Sequence, residues 1–345
     1  MTYSTEINEI IEERHHICKS LYLIKKEVDK RIKEKKSSID HVTIFAKPCH
    51  IKKLFGDFLK TPQYTEIATL RGHTSPVLCL THFKNKLYSG SHHKTIRIWN
   101  TETYEEIGTL EGHTSSVYCL THFKNKLYSG SKDKIIRIWN TETHEEIATL
   151  EGHTWDVNCL AHYENKLFSG SWDSTIRIWN TETYEHIATL RGHNERVNCL
   201  TLYENKLFSG SSWDNNIRVW AGTNTETYEQ IATFRYITGR VFCLTHHENK
   251  LFVGCGDKTI RIWNTETYEE IGTLRGHTSP VNCLTHYENK LYSGGGDNTI
   301  RIWNTDTYEC IAILRGHTGR VKCLTHHENK LYSGSDDNTI RIWKI

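Results

Sequence analysis

A histidine, a serine and an aspartate recur together five times along this 345-residue chain: His113, Ser129 and Asp133; His153, Ser169 and Asp173; His193, Ser209 and Asp214; His277, Ser293 and Asp297; His317, Ser333 and Asp337. These are the residue types of a nucleophilic triad, in which an imidazole takes the hydroxyl proton and a carboxylate orients the imidazole. A catalytic set is needed once, beside an open substrate site. Here each set is followed by a tryptophan (Trp139, Trp179, Trp220, Trp303 and Trp343), and the repetition assigns it to structure. No residue is expected to be catalytic.

Metal chemistry is the next candidate, because the chain holds 22 histidines and 11 cysteines. Seven cysteines (Cys79, Cys119, Cys159, Cys199, Cys243, Cys283 and Cys323) fall at one position of a repeat, and six histidines (His82, His122, His162, His246, His286 and His326) fall three residues further on where present. Residues three apart in an extended run point to opposite faces, which denies them a shared ion. Neither Cys-x-x-Cys nor His-Glu-x-x-His occurs, and Gly294-Gly295-Gly296 lacks the following helix of a phosphate cradle. Neither a metal nor a cofactor is expected, and the cysteines read as buried reduced thiols suited to a reducing compartment.

The elements that position these residues follow from the spacing of tryptophans at 99, 139, 179, 220, 263, 303 and 343, a 40-residue period with insertions near Ser212 and at Ala221 to Thr223. The units run from Pro62 to the last residue, Ile345. Each holds four short β-type runs, such as Val117 to Thr121, Lys126 to Gly130, Ile135 to Trp139 and Glu106 to Leu110, parted by turn residues such as Lys124-Asn125 and Asn140-Thr141. In the third run the alternation should bury Ile96 and Ile98 and lay Arg97 along the other face. Seven copies of four antiparallel strands make an all-β fold, a seven-bladed propeller spanning 62–345. An open ring would expose sheet edges. Tyr64 to Leu70 matches a fourth strand, while the chain stops after a third, so the first segment should complete the last blade.

Gly-His, then Ser-Gly-Ser, Asp and Trp, seven times over, resembles the WD-repeat β-propellers across about four fifths of the chain, although Trp-Asp has become Trp-Asn in most units (Trp99-Asn100, Trp139-Asn140). The resemblance implies that the five His/Ser/Asp/Trp sets are buried hydrogen-bonded tetrads. Unit one carries His93 at the Asp position, and unit five carries Ile237 and Val253 at the His and Ser positions. Losing two adjoining polar partners together should cost less than orphaning one, leaving blade five folded but looser. Within the family the likeness is nearest to the propellers of F-box ubiquitin-ligase adaptors and myosin heavy-chain kinases, yet residues 1–61 show no F-box, RING or kinase pattern.

Where copies agree, the common scaffold accounts for them; where they disagree, a partner can be read. Disagreement concentrates just before the first strand (Ser75-Pro76, Ser115-Ser116, Trp155-Asp156, Glu195-Arg196, Gly239-Arg240, Ser279-Pro280 and Gly319-Arg320) and one residue before the tetrad Asp (His92, Lys132, Trp172, Trp213, Gly256, Gly296 and Asp336). The resemblance implies that both places lie on one rim, at the narrow mouth of the channel. Trp155, Trp172 and Trp213 then gather over blades three and four, with Arg196, Arg240 and Arg320 further round, and Lys132 and Asp156 at the same positions. Trp and Arg are the types enriched in interface hot spots. The competing reading folds the tryptophans down as packing. The expected function is a non-catalytic scaffold binding a protein or peptide on this rim. The alternative is the substrate-recognition subunit of a ubiquitin ligase, its arginines gripping an acidic or phosphorylated peptide.

Residues 5–36 carry apolar side chains at a three-four spacing from Ile7 to Ile32, with Thr5 to cap, Glu6 and Glu9 early and Lys33, Lys35 and Lys36 late. They read as an amphipathic helix that either pairs as a coiled coil into a homodimer or docks on the propeller's flank. A shorter helix is expected over 50–60, completing a helical segment over 1–61. Residues 1–60 hold 13 Lys+Arg against 9 Asp+Glu, leaving 30 against 32 beyond, too even for general nucleic-acid binding. No run approaches the roughly 20 apolar residues of a membrane span. An intracellular, cytoplasmic location is expected, with the basic run from Lys25 to Lys36 leaving nuclear targeting open.

Overall fold

The computed structural model describes residues 64–222, 228–234 and 239–345. The expected helices, the basic run and Ile237 lie outside the described residues. Those described form seven four-stranded antiparallel sheets, and in six of them the strands are neighbours in chain order. The seventh joins Val321–His327, Lys330–Ser335 and Ile340–Lys344 to Thr65–Leu70, the first strand of the propeller. Thr65 pairs with Lys344 and Leu70 with Ile340, and Arg341 donates to Glu66 across the seam. The first strands of successive blades touch one another around a closed ring, including Val77–Phe83 against Val321–His327, so they are innermost.

The blade-two strands are Val117–Phe123, Lys126–Ser131, Ile136–Asn140 and Glu146–Leu150. The third starts one residue later than expected, at Ile136; the N–H of Ile135 just before it donates to the Asp133 carboxylate, 3.1 Å away. Ile96 and Ile98 are fully buried, while Arg97 is half-buried and paired with Glu106. Much of the core lies between sheets: Cys79, Tyr88, Ile96 and Ile98 of blade one pack with Val117, Leu120, Leu127 and Trp139 of blade two. This junction is tight. A Cβ on Gly90 would fall 2.4 Å from the Cys79 sulfur and 2.8 Å from the Val117 side chain, so the Ser-Gly-Ser strand admits only glycine at its centre.

Trp-Asn replaces Trp-Asp without loss because the turn needs only an acceptor: Asn100 Oδ1 accepts the N–H of Glu102 at 2.8 Å and of Thr103 at 3.0 Å. The outer strands carry a bulge, where Trp99 faces Glu106 and Ile98 faces Gly108, leaving Ile107 unmatched and exposed. A bulge on an edge strand discourages pairing with another sheet. The described cysteines are free thiols, and six of the seven repeat cysteines are buried, with Cys243 partly so.

Candidate functional site

Each complete tetrad is a buried relay of hydrogen bonds. Trp139 Nε1 donates to Ser129 Oγ at 2.9 Å, His113 Nε2 lies 2.7 Å from the same oxygen, and His113 Nδ1 lies 2.8 Å from Asp133. With Nδ1–H donating to the carboxylate, the ring is the middle link between aspartate and serine. The same contacts, at 2.7–2.9 Å, hold His153, Ser169, Asp173 and Trp179; His193, Ser209, Asp214 and Trp220; His277, Ser293, Asp297 and Trp303; and His317, Ser333, Asp337 and Trp343. The serines are fully buried, so none of these hydroxyls meets a substrate. Burial alone would raise the pKa of Asp133, but the hydrogen bond and charge of His113 and the N–H groups of Thr114 and Ile135 hold it below the usual carboxylate range.

The two defective units settle differently. In blade one His73 keeps Ser89 at 2.6 Å, and Trp99 donates to that serine at 2.8 Å, but His93 supplies no carboxylate. Burial, then the charge of Arg97, lowers His73 to about 4. In blade five, where losing two adjoining partners was expected to cost less than orphaning one, an orphan is present all the same: with Val253 in place of serine, the buried Trp263 N–H has no acceptor among the described residues. Asp257 turns to Arg261, 3.2 Å away, and to Thr259.

The two variable positions of a blade are hydrogen-bonded neighbours, which puts them side by side. The N–H of Lys132 donates to Ser116 O at 2.9 Å, that of Trp172 to Asp156 O at 3.0 Å, that of Gly256 to Arg240 O at 2.8 Å and that of Asp336 to Arg320 O at 2.9 Å. On this rim Trp155 is 57% exposed and Trp213 53%. Trp172 is half-buried, stacked on Tyr118 with planes 20° apart, and so does part of the packing that the competing reading assigned to all three.

Two expectations are corrected. Arg196 and Arg240 do not stand apart from the indoles but cover them: the Arg196 guanidinium lies 3.7 Å over Trp172, and that of Arg240 lies 3.6 Å over Trp213. Asp156 is buried, not displayed, with one carboxylate oxygen unpartnered among the described residues; burial raises its pKa against the pull of Lys132, Arg196 and Lys134. Lys132 is exposed, and Arg320 is exposed 3.9 Å from Asp336.

Beside the Trp213–Arg240 stack, Gly239, Phe242, Gly256, Asp257 and Pro280 join Arg240 in lining an open cavity of about 500 Å³. Tyr118 and Phe242 went unread in the sequence. Their signal was a third uneven position, second in the innermost strand, where Leu78, Tyr118, Asn158, Asn198, Phe242, Asn282 and Lys322 follow an unchanging valine.

A family profile described as "WD domain, G-beta repeat" matches residues 64–100, 104–140, 144–180, 184–221, 228–264, 268–304 and 308–344. None of the curated proteins compared matches the chain. Among solved structures, the crystal structure of the computationally designed Ika8 protein is similar: 26% identity, a TM-score of 0.67, and coverage of 81% of this chain and 99% of that one.

Proposed function

Because the chain belongs to the WD-repeat propeller family, whose members are generally protein-interaction scaffolds and typically non-catalytic, we propose that it is a scaffold holding an acidic protein segment on its uneven rim. The observation that carries this reading is the pair of arginine-capped indoles, Arg196 on Trp172 and Arg240 on Trp213. Stacking fixes a guanidinium flat while its N–H edge points outward, the geometry that grips a carboxylate or phosphate with two parallel bonds. Lys132 and Lys134 add exposed cations beside the exposed Trp155, against Glu195 and the buried Asp156. The cavity between Phe242 and Pro280 offers an apolar side chain of the same segment a seat.

The test compares what the intact chain captures from lysate with what a folded Trp155→Ala, Trp172→Ala and Trp213→Ala variant captures. Loss of salt-sensitive partners is expected. Capture of the same partners at the same strength removes the rim as the binding site. Ubiquitin-ligase subunits among the captured proteins would add a substrate-receptor role.

A further inference from the structure

The innermost strands end, away from the rim, in two residues that meet the neighbouring blades. The earlier one, histidine in six blades, faces the preceding blade, where a threonine hydroxyl lies against its Nδ1: Thr81 and His122 at 3.2 Å, Thr121 and His162 at 3.5 Å, Thr201 and His246 at 3.1 Å, Thr245 and His286 at 3.5 Å, Thr285 and His326 at 3.3 Å. The later residue of the preceding blade packs on the same ring: Phe83 on His122 at 5.2 Å, Phe123 on His162 at 5.0 Å, Tyr203 on His246 at 5.1 Å and Tyr287 on His326 at 4.9 Å. Between blades three and four both partners change together, to Ala161 and Leu202.

Two junctions depart from this pattern because the packing residue is itself a histidine. His247 lies on His286 between blades five and six, centroids 5.0 Å apart, and His327 lies on His82 where the last blade meets the first, at 4.4 Å and 33°. We propose that these two histidine-on-histidine junctions are acid-sensitive seams, at which proton uptake loosens blade six from blade five and blade one from blade seven.

An imidazole against a phenyl or phenol ring tolerates one charge, but two imidazoles in contact cannot both become cations without repulsion. The surroundings offer little relief. Opposite His82 across its own hairpin is Leu87, the following blade presents His122, and the last blade presents His326 and His327. Opposite His286 is Leu291, with His246 and His247 before it and His326 after. Among the described residues neither ring is in an ion pair; the Glu328 carboxylate lies 4.0 Å from His327, not from His82. Burial first, then the facing imidazoles, lowers both His82 and His286 to about 4. A group whose folded value lies below its unfolded 6.5 contributes full stability above 6.5 and loses it as pH falls towards 4.

The experiment is denaturant unfolding of the full chain at pH 7.5 and 5.5, for the wild type, for His82→Leu with His286→Leu, and for His162→Leu, which faces neither seam ring, as control. Leucine is the residue that blade four already carries at this position, Leu202. Each seam ring should raise the wild-type unfolding constant about tenfold over this interval, so the seam variant should respond to acid about a hundredfold less than the wild type. An unchanged response in the seam variant, or an equal reduction in the control, overturns the proposal. Should the seam variant not fold, histidine proton resonances of the wild type decide: two rings still neutral at pH 5.5 and lost on single replacement of His82 or His286 support it, and titration of both near 6.5 overturns it.

Discussion

Phe234 lies stacked on Trp263, ring centroids 5.0 Å apart and planes 15° from parallel. Of the seven repeat tryptophans, Trp263 is the one whose indole N–H lacks an acceptor among the described residues, since the serine that receives it elsewhere is Val253 here. The blade keeps its place through apolar contact: Trp263 packs with Phe234, Val241, Leu251, Val253 and Cys255. Trp303→Phe should therefore destabilise the protein by about 1–3 kcal/mol, because it breaks a buried bond to Ser293, whereas Trp263→Phe removes a donor that already lacks a partner and should cost less. Urea unfolding of the two variants measures the difference. Equal losses would mean that the hydrogen bond of the complete tetrad contributes nothing beyond its ring.

The tetrad carboxylates carry a second pH dependence, separate from that of the seams. Asp133, Asp173, Asp214, Asp297 and Asp337 all sit below the ordinary carboxylate value: burial opposes this, but the facing histidine and nearby N–H or hydroxyl donors outweigh it. Depressed folded values contribute stability above the unfolded value, about 3.9, and lose it as pH falls below that. Unfolding midpoints should drop steeply between about pH 4 and pH 2.5. Asp297→Asn should lower stability at neutral pH and make that drop shallower, a pairing of effects that simple loss of packing does not produce.

Two glycines in neighbouring repeats test the tightness of the blade junctions. A Cβ at Gly130 would meet the Cys119 sulfur and the Val157 side chain, each at 2.6 Å, whereas at Gly108 it would find nothing nearer than 3.4 Å. Gly130→Ala should destabilise by about 1–3 kcal/mol through overpacking. Gly108→Ala should be neutral or stabilise by about 0.4–1 kcal/mol, since alanine narrows the unfolded ensemble. Alanine already stands at the matching position in blade two, Ala148. Chemical denaturation of both variants checks the contrast.

The ring was readable from seven tryptophans because every unit must bury the same alternating face, and Tyr64 to Leu70 announced its closure by matching a fourth strand with no third strand before it. The tetrads were readable for the same reason. What escaped the sequence depends on the rotation between adjacent sheets, which no period reports. Arg196 and Trp172 belong to different blades, so their stacking appears only once the blades are side by side. Asp156 looked like a rim residue by its position, but its side chain is packed away while its neighbour Trp155 projects. The histidine pairs at the two seams were legible as residues and not as contacts, because His82 and His327 stand near opposite ends of the propeller sequence.

Arginine on the rim is expected to act by shape as much as by charge. The Arg240 guanidinium lies 3.6 Å over Trp213, and no hydrogen bond or ion pair engages it among the described residues. Lysine preserves the charge but neither the plane nor the paired donors. Arg240→Lys should then weaken capture of an acidic partner by about tenfold, a size within the range of single interface truncations, while Lys132→Ala, an exposed cation with no stacked ring, should lower affinity only modestly and flatten the salt dependence. The free protein offers an independent check, since Arg240→Ala uncovers the Trp213 face and should raise acrylamide quenching of indole fluorescence. If quenching rises as expected yet Arg240→Lys binds like the wild type, charge alone suffices and the planar grip plays no part in recognition.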